Sequence, residues 1–401
     1  MLTRLRQLLD HRWLVRLRQD RSIREALFVF TLTRTLIFLV LICVSHLIVY
    51  SFPETYSYDA VISLKDAQIA RKLRQKMWQA DAAHYMGIAK DGYQAIPFDV
   101  KDRRSQEFAF FPLHPMLLWT IGRVTSDPIL WGAALCNLFF FAALVMLYKL
   151  TLLFGYGESV ARRTLFYLAA FPVSYFFSAP FTESLFVLLT VGGFYAARRE
   201  RWWVAGVLGL LASATRLTGV LLLPSLVILS WQMYRSFQVR KIVGLLLIPF
   251  GLFAFMFYSW WLSGNAWAFK HASEAWGRKP TVFFIGPLIK YLINPHNVAE
   301  AWNLHLLNAA CVLLCLYCIY LLARRREWAL AFYTLTSIIL PLSSGVMQSF
   351  ERYTMGFFPV FIALAVAAQS ERVDQTIRFV FVFLLGIMTT LFAAGYTNAL
   401  S

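Results

Sequence analysis

The feature that most constrains this chain is a recurrence of apolar runs of about 20 residues, separated by short basic clusters. A run of that length crosses a bilayer core of about 30 Å as a helix. Open sheet edges are excluded there, because hydrocarbon cannot satisfy their backbone groups. The sequence therefore predicts an all-α polytopic membrane protein. Composition agrees: 59% of the 401 residues are hydrophobic and 15% are charged, against roughly 25% charged in a soluble domain. The formal net charge of +17 does not point to nucleic acid. The basic residues stand between apolar runs, which is the pattern of cytoplasmic loops.

Charge also orients the spans. Arg4, Arg6, Arg12, Arg16, Arg18, Arg21 and Arg24 precede the first run, and later clusters fall at 162–163, 198–201, 235–241, 324–326 and 372–378. All of them are cytoplasmic if spans alternate at 27–50, 128–152, 163–180, 182–197, 203–214, 217–234, 242–262, 303–323, 328–345, 352–368 and 378–397, about 11 in all. The run 110–121 then lies on the outer surface, since it is short and holds Pro112 and Pro115. One integral-membrane domain, 1–401, results. It comprises a first span (27–50), an outer loop with interfacial helices (51–127), a core of spans (128–262), a second outer loop (263–302) and C-terminal spans (303–397).

Within the first loop, residues 63–77 alternate Leu64, Ala67 and Leu73 with Lys65, Arg71, Lys72, Arg74 and Lys76. This pattern predicts a basic helix on lipid headgroups. The arginine-rich N-terminus and long first run argue against a cleavable signal. The absence of N-x-S/T sequons favours a prokaryotic plasma (inner) membrane. Cys43, Cys136, Cys311, Cys315 and Cys318 lie in apolar runs without metal-site spacing and read as packing.

Ionisable residues outside the basic clusters mark the candidate site. The stretch WQADAAHYMGIAKDGY at 78–93 holds Asp81 and His84, which share a face of a helix at i, i+3, with Tyr85 beside them. Glu183 stands in SAPFTESLF, Arg216 in SATRLTG, and Glu351 with Arg352 in SFERYTMGFFP. Charges at membrane depth are costly and mark function by default, although a structural pair such as Glu183 with Arg216 also accounts for two of them. Lys270, His271, Glu274 and Arg278 put further charges on the second outer loop, which is expected to fold over the first. No P-loop, G-x-S-x-G or H-E-x-x-H occurs. Nor is there a D-x-D of the kind that holds a metal on a nucleotide-sugar diphosphate.

The stretch 78–93, followed by FAFFPLHPMLL, FSAPFTESLFVLL, ASATRLTGVLLL and ERYTMGFFP, resembles the GPI mannosyltransferase 2 (PIG-V) family and its prokaryotic relatives, which are membrane glycosyltransferases of the GT-C type. Asp81, His84, Tyr85, Ile88, Ala89, Gly92 and Tyr93 match the family's W-D-x-x-H-[FY]…I-A…G-Y pattern. Ala80 stands where the pattern has tryptophan, and Trp78 lies two residues upstream of it.

The resemblance implies a GT-C fold and transfer of a sugar, mannose above all, from a polyprenyl-phosphate donor to a lipid or glycan acceptor on the outer, periplasmic side. Such chemistry needs a base for the acceptor hydroxyl and cations for the departing phosphate. Asp81 is the expected base. Arg216 and Arg352, then Lys270 and Arg278, are the expected phosphate ligands. His84, Tyr85, Glu183 and Glu351 are expected around the substrates. A monophosphate can be handled by Arg and Lys, so no metal or other cofactor is invoked. One base without a nucleophile pair implies inversion. The competing expectation is a transporter or lipid flippase, which would need repeated halves and charges through the midplane.

Overall fold

The computed structural model of the protein describes residues 20–51, 81–125, 127–236, 238–293 and 305–394. Helices carry it, and no strand occurs among the described residues. In chain order the principal helices are α1 (Arg21–Ser51), α2 (Asp81–Asp91), α3 (Leu113–Val124), α4 (Pro128–Leu153) and α5 (Glu158–Ala169). They continue with α6 (Glu183–Arg198), α7 (Trp202–Ser213), α8 (Leu222–Tyr234) and α9 (Phe250–Ser263). The last are α10 (His305–Arg324), α11 (Trp328–Leu342), α12 (Phe350–Met355), α13 (Phe358–Ala367) and α14 (Glu371–Ala394).

Six helical stretches among the described residues are long and apolar enough to cross a membrane, and α7, α11 and α13 are shorter apolar helices. The chain is an all-α polytopic membrane protein. The expected helix at 63–77 and the arginines from Arg4 to Arg18 lie outside the described residues.

Local sequence sets the helix ends. Asp127 caps α4, its side chain accepting from the Leu130 N–H, and Pro128 opens the helix where no donor is needed. Gly264 ends α9 with φ of 73°, a left-handed turn that favours glycine. The bundle packs α4 on α6, α6 on α7, α10 on α11 and α1 on α14.

The basic clusters gather at one end of it. Arg21 pairs with Glu158 at 2.6 Å, Lys149 with Asp20 at 2.8 Å and Arg162 with Glu25 at 3.7 Å. Arg163 and Arg378 meet Asp374 at 3.2 and 2.9 Å, and Lys241 meets Glu200 at 3.8 Å. Gln232 donates to the Arg326 carbonyl, and Arg198 to that of Leu153. Each pair is at least partly exposed and adds little stability, but together they put all five later clusters and the start of α1 on one side. The starts of α2, α6 and α12 and the ends of α7, α9 and α11 consequently face the other way.

Two expected spans differ: 352–368 is divided at Gly356 and Phe357 between α12 and α13, and 163–180 is broken as well. Residues 163–180 are not a single helix: α5 stops at Ala169, and a 3₁₀ turn, Ser174–Ser178, leads to α6. Pro172 and Pro180 cannot sit inside an unbroken helix. Residues 164–187 are nonetheless all buried, so the irregular backbone is enclosed by protein, as the bilayer requires. Helix α3 has 12 residues, about 18 Å, too short to cross. As expected, the second loop folds over the first. Phe98 donates its N–H to the Ser263 carbonyl at 3.2 Å, Phe111 meets Phe269 edge-on at 5.7 Å, and Phe110 meets Trp276 edge-on at 5.8 Å.

Candidate active site

At the end opposite the basic clusters lies a cavity of about 410 Å³. Its walls come from distant parts of the chain: α2, the 109–111 segment, the turn after α7, the 267–280 loop, the end of α11, and α12. Helix α6 has 16 residues, about 24 Å. Glu183 at its start therefore sits just beneath the far boundary of an apolar core of about 30 Å.

Four charges form a chain across the cavity floor. Arg352 donates from NH1 to Asp81 Oδ2 at 2.6 Å and from Nε to Glu183 Oε1 at 2.6 Å. Arg216 donates to the same Glu183 oxygen at 2.7 Å and to Thr182 Oγ1 at 3.2 Å. Glu183 is only 1% exposed, and its Oε2 accepts no hydrogen bond among the described residues. A buried carboxylate needs such pairing to remain charged. Aromatic faces hold both cations in place. Arg352 lies over Phe181 and Phe176 at 4.7 and 4.9 Å, and Arg216 lies over Tyr353 at 5.1 Å.

Asp81 lies in the first described turn of α2. Its side chain is 32% exposed, and Oδ1 makes no hydrogen bond among the described residues. One turn later Tyr85 also faces the cavity, its hydroxyl 3.5 Å from Thr182 Oγ1. Its ring packs edge-on against Phe110 and His114, each at 5.1 Å.

His84 does not line the cavity. It stacks on Phe110 at 4.5 Å with the rings 14° apart and meets Trp276 edge-on at 6.0 Å, so it reaches the site through those two cavity-lining rings. Burial pushes the His84 imidazole below its ordinary range, with Asp81 opposing the shift and Arg103 adding to it.

The other expected residues divide cleanly. Arg216, Lys270, Arg278 and Arg352 line the cavity with Asp81 and Tyr85. Lys270 and Arg278 make no ion pair among the described residues, whereas Arg216 and Arg352 are held by carboxylates. Glu183 lies behind the two arginines. Glu351 does not reach the cavity: it is 1% exposed, with its backbone N–H on Asn308 Oδ1 at 2.9 Å. Successive helical positions are rotated by about 100°, so when Arg352 faces the cavity its neighbour turns into the protein.

The sequence reading passed over Thr182, Trp267, Trp276 and Tyr353, which complete the polar floor and the aromatic walls. The alternation of aromatic and charged residues in WAFKHASEAWGR was the available signal for the tryptophans. No group of three or more His, Cys, Asp or Glu converges among the described residues.

A family model described as Mannosyltransferase (PIG-V) matches residues 23–272, well over half of the chain. The chain belongs to the PIG-V mannosyltransferase family. No curated protein and no solved structure matches it. As a PIG-V-family member it is a membrane-embedded glycosyltransferase that joins a sugar donor to an acceptor. The matched residues contain Asp81, His84, Tyr85, Glu183, Arg216 and Lys270 but stop short of Arg278, Glu351 and Arg352. Arg352, which pairs with both Asp81 and Glu183, thus lies beyond the part the family model covers.

Proposed function

We propose that this cavity transfers mannose from a polyprenyl-phosphate donor, with inversion, in a GT-C type enzyme whose base is Asp81. The observation that carries the reading is the arrangement of Asp81. One oxygen is fixed by Arg352, while the side chain lines the cavity and is 32% exposed, and its second oxygen makes no hydrogen bond among the described residues. The acceptor hydroxyl oxygen attacks C1 of the mannose, the C1–O bond to phosphate breaks, and the hydroxyl proton passes to Asp81. Arg352 orients the carboxylate without neutralising it fully, because its single charge is shared with Glu183.

Charge supports the donor class. Arg216, Arg352, Lys270 and Arg278 face Asp81 and Glu183, four cations against two carboxylates, an excess of two positive charges. A polyprenyl-phosphate sugar carries one negative charge, and the departing polyprenyl phosphate carries up to two. The site therefore complements the leaving group better than the bound donor, which is the condition for lowering the barrier. Lys270 and Arg278, free of ion pairs among the described residues, take the phosphate first, and Arg216 supports them from below. The gathering of the basic clusters at the other end supports, by the positive-inside rule, a cavity on the outer, periplasmic side.

The test is incorporation of label from radiolabelled polyprenyl-phosphate mannose by the purified protein, alongside nucleotide-activated mannose. Label is expected from the lipid donor alone. Transfer from the nucleotide sugar instead would refute the donor class.

A further inference from the structure

We propose that Arg34 is a positioning residue for this site, acting from inside the first span by fixing the broken backbone that carries Glu183. Arg34 lies about 20 Å along α1 from Arg21, near mid-depth of an apolar core of about 30 Å. It is 3% exposed, and no carboxylate pairs with it among the described residues. A charge in that position is costly and calls for a specific partner.

Apart from a long contact of Nε with the adjacent Thr33 hydroxyl at 3.4 Å, its partners belong to the last residue of α5 and the irregular stretch that follows. NH2 donates to the Ala169 carbonyl at 2.9 Å and to Ser174 Oγ at 2.9 Å. NH1 donates to the Ser174 carbonyl at 2.8 Å and to Ser178 Oγ at 3.1 Å. Ala169 is the last residue of α5, where the helix leaves carbonyls without partners and its dipole is negative. Arg34 thus joins the Ser174 hydroxyl, which donates to the same Ala169 carbonyl at 2.6 Å, in closing the end of α5 from a neighbouring helix. Its guanidinium also lies 4.8 Å from the Phe140 ring centre, and Phe140 stacks on Phe177 at 4.2 Å.

The clamp reaches the ion chain in few steps. Ser178 donates onward to Asn137 of α4 at 3.0 Å, and Ser184 donates to the Phe177 carbonyl at 2.8 Å. Ser184 is next to Glu183, and Thr182 on its other side accepts from Arg216. The register of residues 174–178 therefore sets where Glu183 presents its oxygen to Arg216 and Arg352. A lysine keeps the charge but cannot span two carbonyls and two hydroxyls, because that needs the planar fork.

The test compares wild type with Arg34→Lys in detergent, by hydrogen–deuterium exchange and by kinetics. Exchange in peptides covering 170–182 should rise about tenfold or more, the effect of losing charge-assisted hydrogen bonds locally, while peptides covering 328–342 stay unchanged. The kinetic arm rests on the mannosyl-transfer reading above: kcat should fall by about tenfold with donor KM within about twofold, as for an interaction felt mainly in the transition state. Unchanged exchange at 170–182, an equal rise at 328–342, or a change in KM alone would each overturn the proposal. If Arg34→Lys does not fold, Ser178→Ala removes one acceptor and should give a smaller, equally local rise; none, or a uniform one, overturns it. Wild-type protein inactive with polyprenyl-phosphate mannose refutes the donor reading, and exchange then decides the role of Arg34 alone.

Discussion

Replacing Asp81 by asparagine separates chemistry from structure at this site. Asparagine keeps the size and leaves an oxygen able to accept from Arg352 at the position of Oδ2, now 2.6 Å away, but it cannot take a proton. The structural loss is one charge-assisted hydrogen bond, about 1.5–3 kcal/mol when fully buried. With the Asp81 side chain 32% exposed, solvent screening brings that towards about 1 kcal/mol. Arg352 retains Glu183 as a partner, so no cation is stranded. Removing a general base costs about 10²–10⁴ in rate, or roughly 3–5 kcal/mol of barrier. The kinetic loss should thus exceed the stability loss several-fold. Thermal unfolding, donor binding and single-turnover transfer of radiolabelled polyprenyl-phosphate mannose, measured on one preparation of each protein, give all three quantities. Folded, donor-binding Asp81→Asn with turnover within about tenfold of wild type would remove Asp81 as the base.

Three further outcomes follow from the geometry. Glu183→Gln leaves buried Arg352 and half-buried Arg216 facing a neutral amide and should cost about 3 kcal/mol, a larger drop in melting temperature than Asp81→Asn gives; the reverse order would contradict the ion chain described here. Lys270→Ala with Arg278→Ala should raise donor KM and weaken the salt dependence of donor binding, because these cations make no ion pair among the described residues and answer to the phosphate; an unaltered salt slope would exclude them as its ligands. The imidazole of His84 is held below the ordinary histidine value of 6.5 by burial. The unfolded chain therefore takes up its proton first, and stability falls as pH drops through and below 6.5. His84→Gln should show a smaller loss of melting temperature between about pH 7.5 and 5.5 than wild type, and equal losses would show that His84 does not titrate in this way.

Much of the architecture was legible because lipid leaves few options. Apolar length located α1, α4 and α10, and the basic clusters that were expected to share one side do meet at one end of the bundle. The span at 163–180 was misjudged because FYLAAFPVSYFFSAPF is as apolar as a span. Periodicity and hydropathy cannot tell a lipid-facing helix from a protein-enclosed coil, although Pro172 and Pro180 marked the break. Arg34 went unremarked for a related reason, since its partners are mostly backbone carbonyls and serine hydroxyls, which carry no pattern. The pairing of Glu183 with Arg216 was weighed from the sequence, being only 33 residues apart. That of Arg352 with Glu183 and Asp81, across 169 and 271 residues, could not be read from spacing. Neither could the outward turn of Arg352 and inward turn of Glu351, which depend on the rotation of a six-residue helix.

Those separations also fix an order of assembly. A chain emerges N-terminus first, so Asp81 and Glu183 are in place long before Arg352 is made. Through most of synthesis Glu183 has Arg216 alone, and Asp81 lacks its only ion-pair partner among the described residues. The closing piece is the short α12, which carries Arg352. The nascent protein consequently cannot hold Asp81 in its working position until α12 has docked, and a ribosome that stops short of residue 352 leaves a bundle with most of its spans but without a fastened carboxylate. Maturation of the site thus waits until α1 to α11 have already been made.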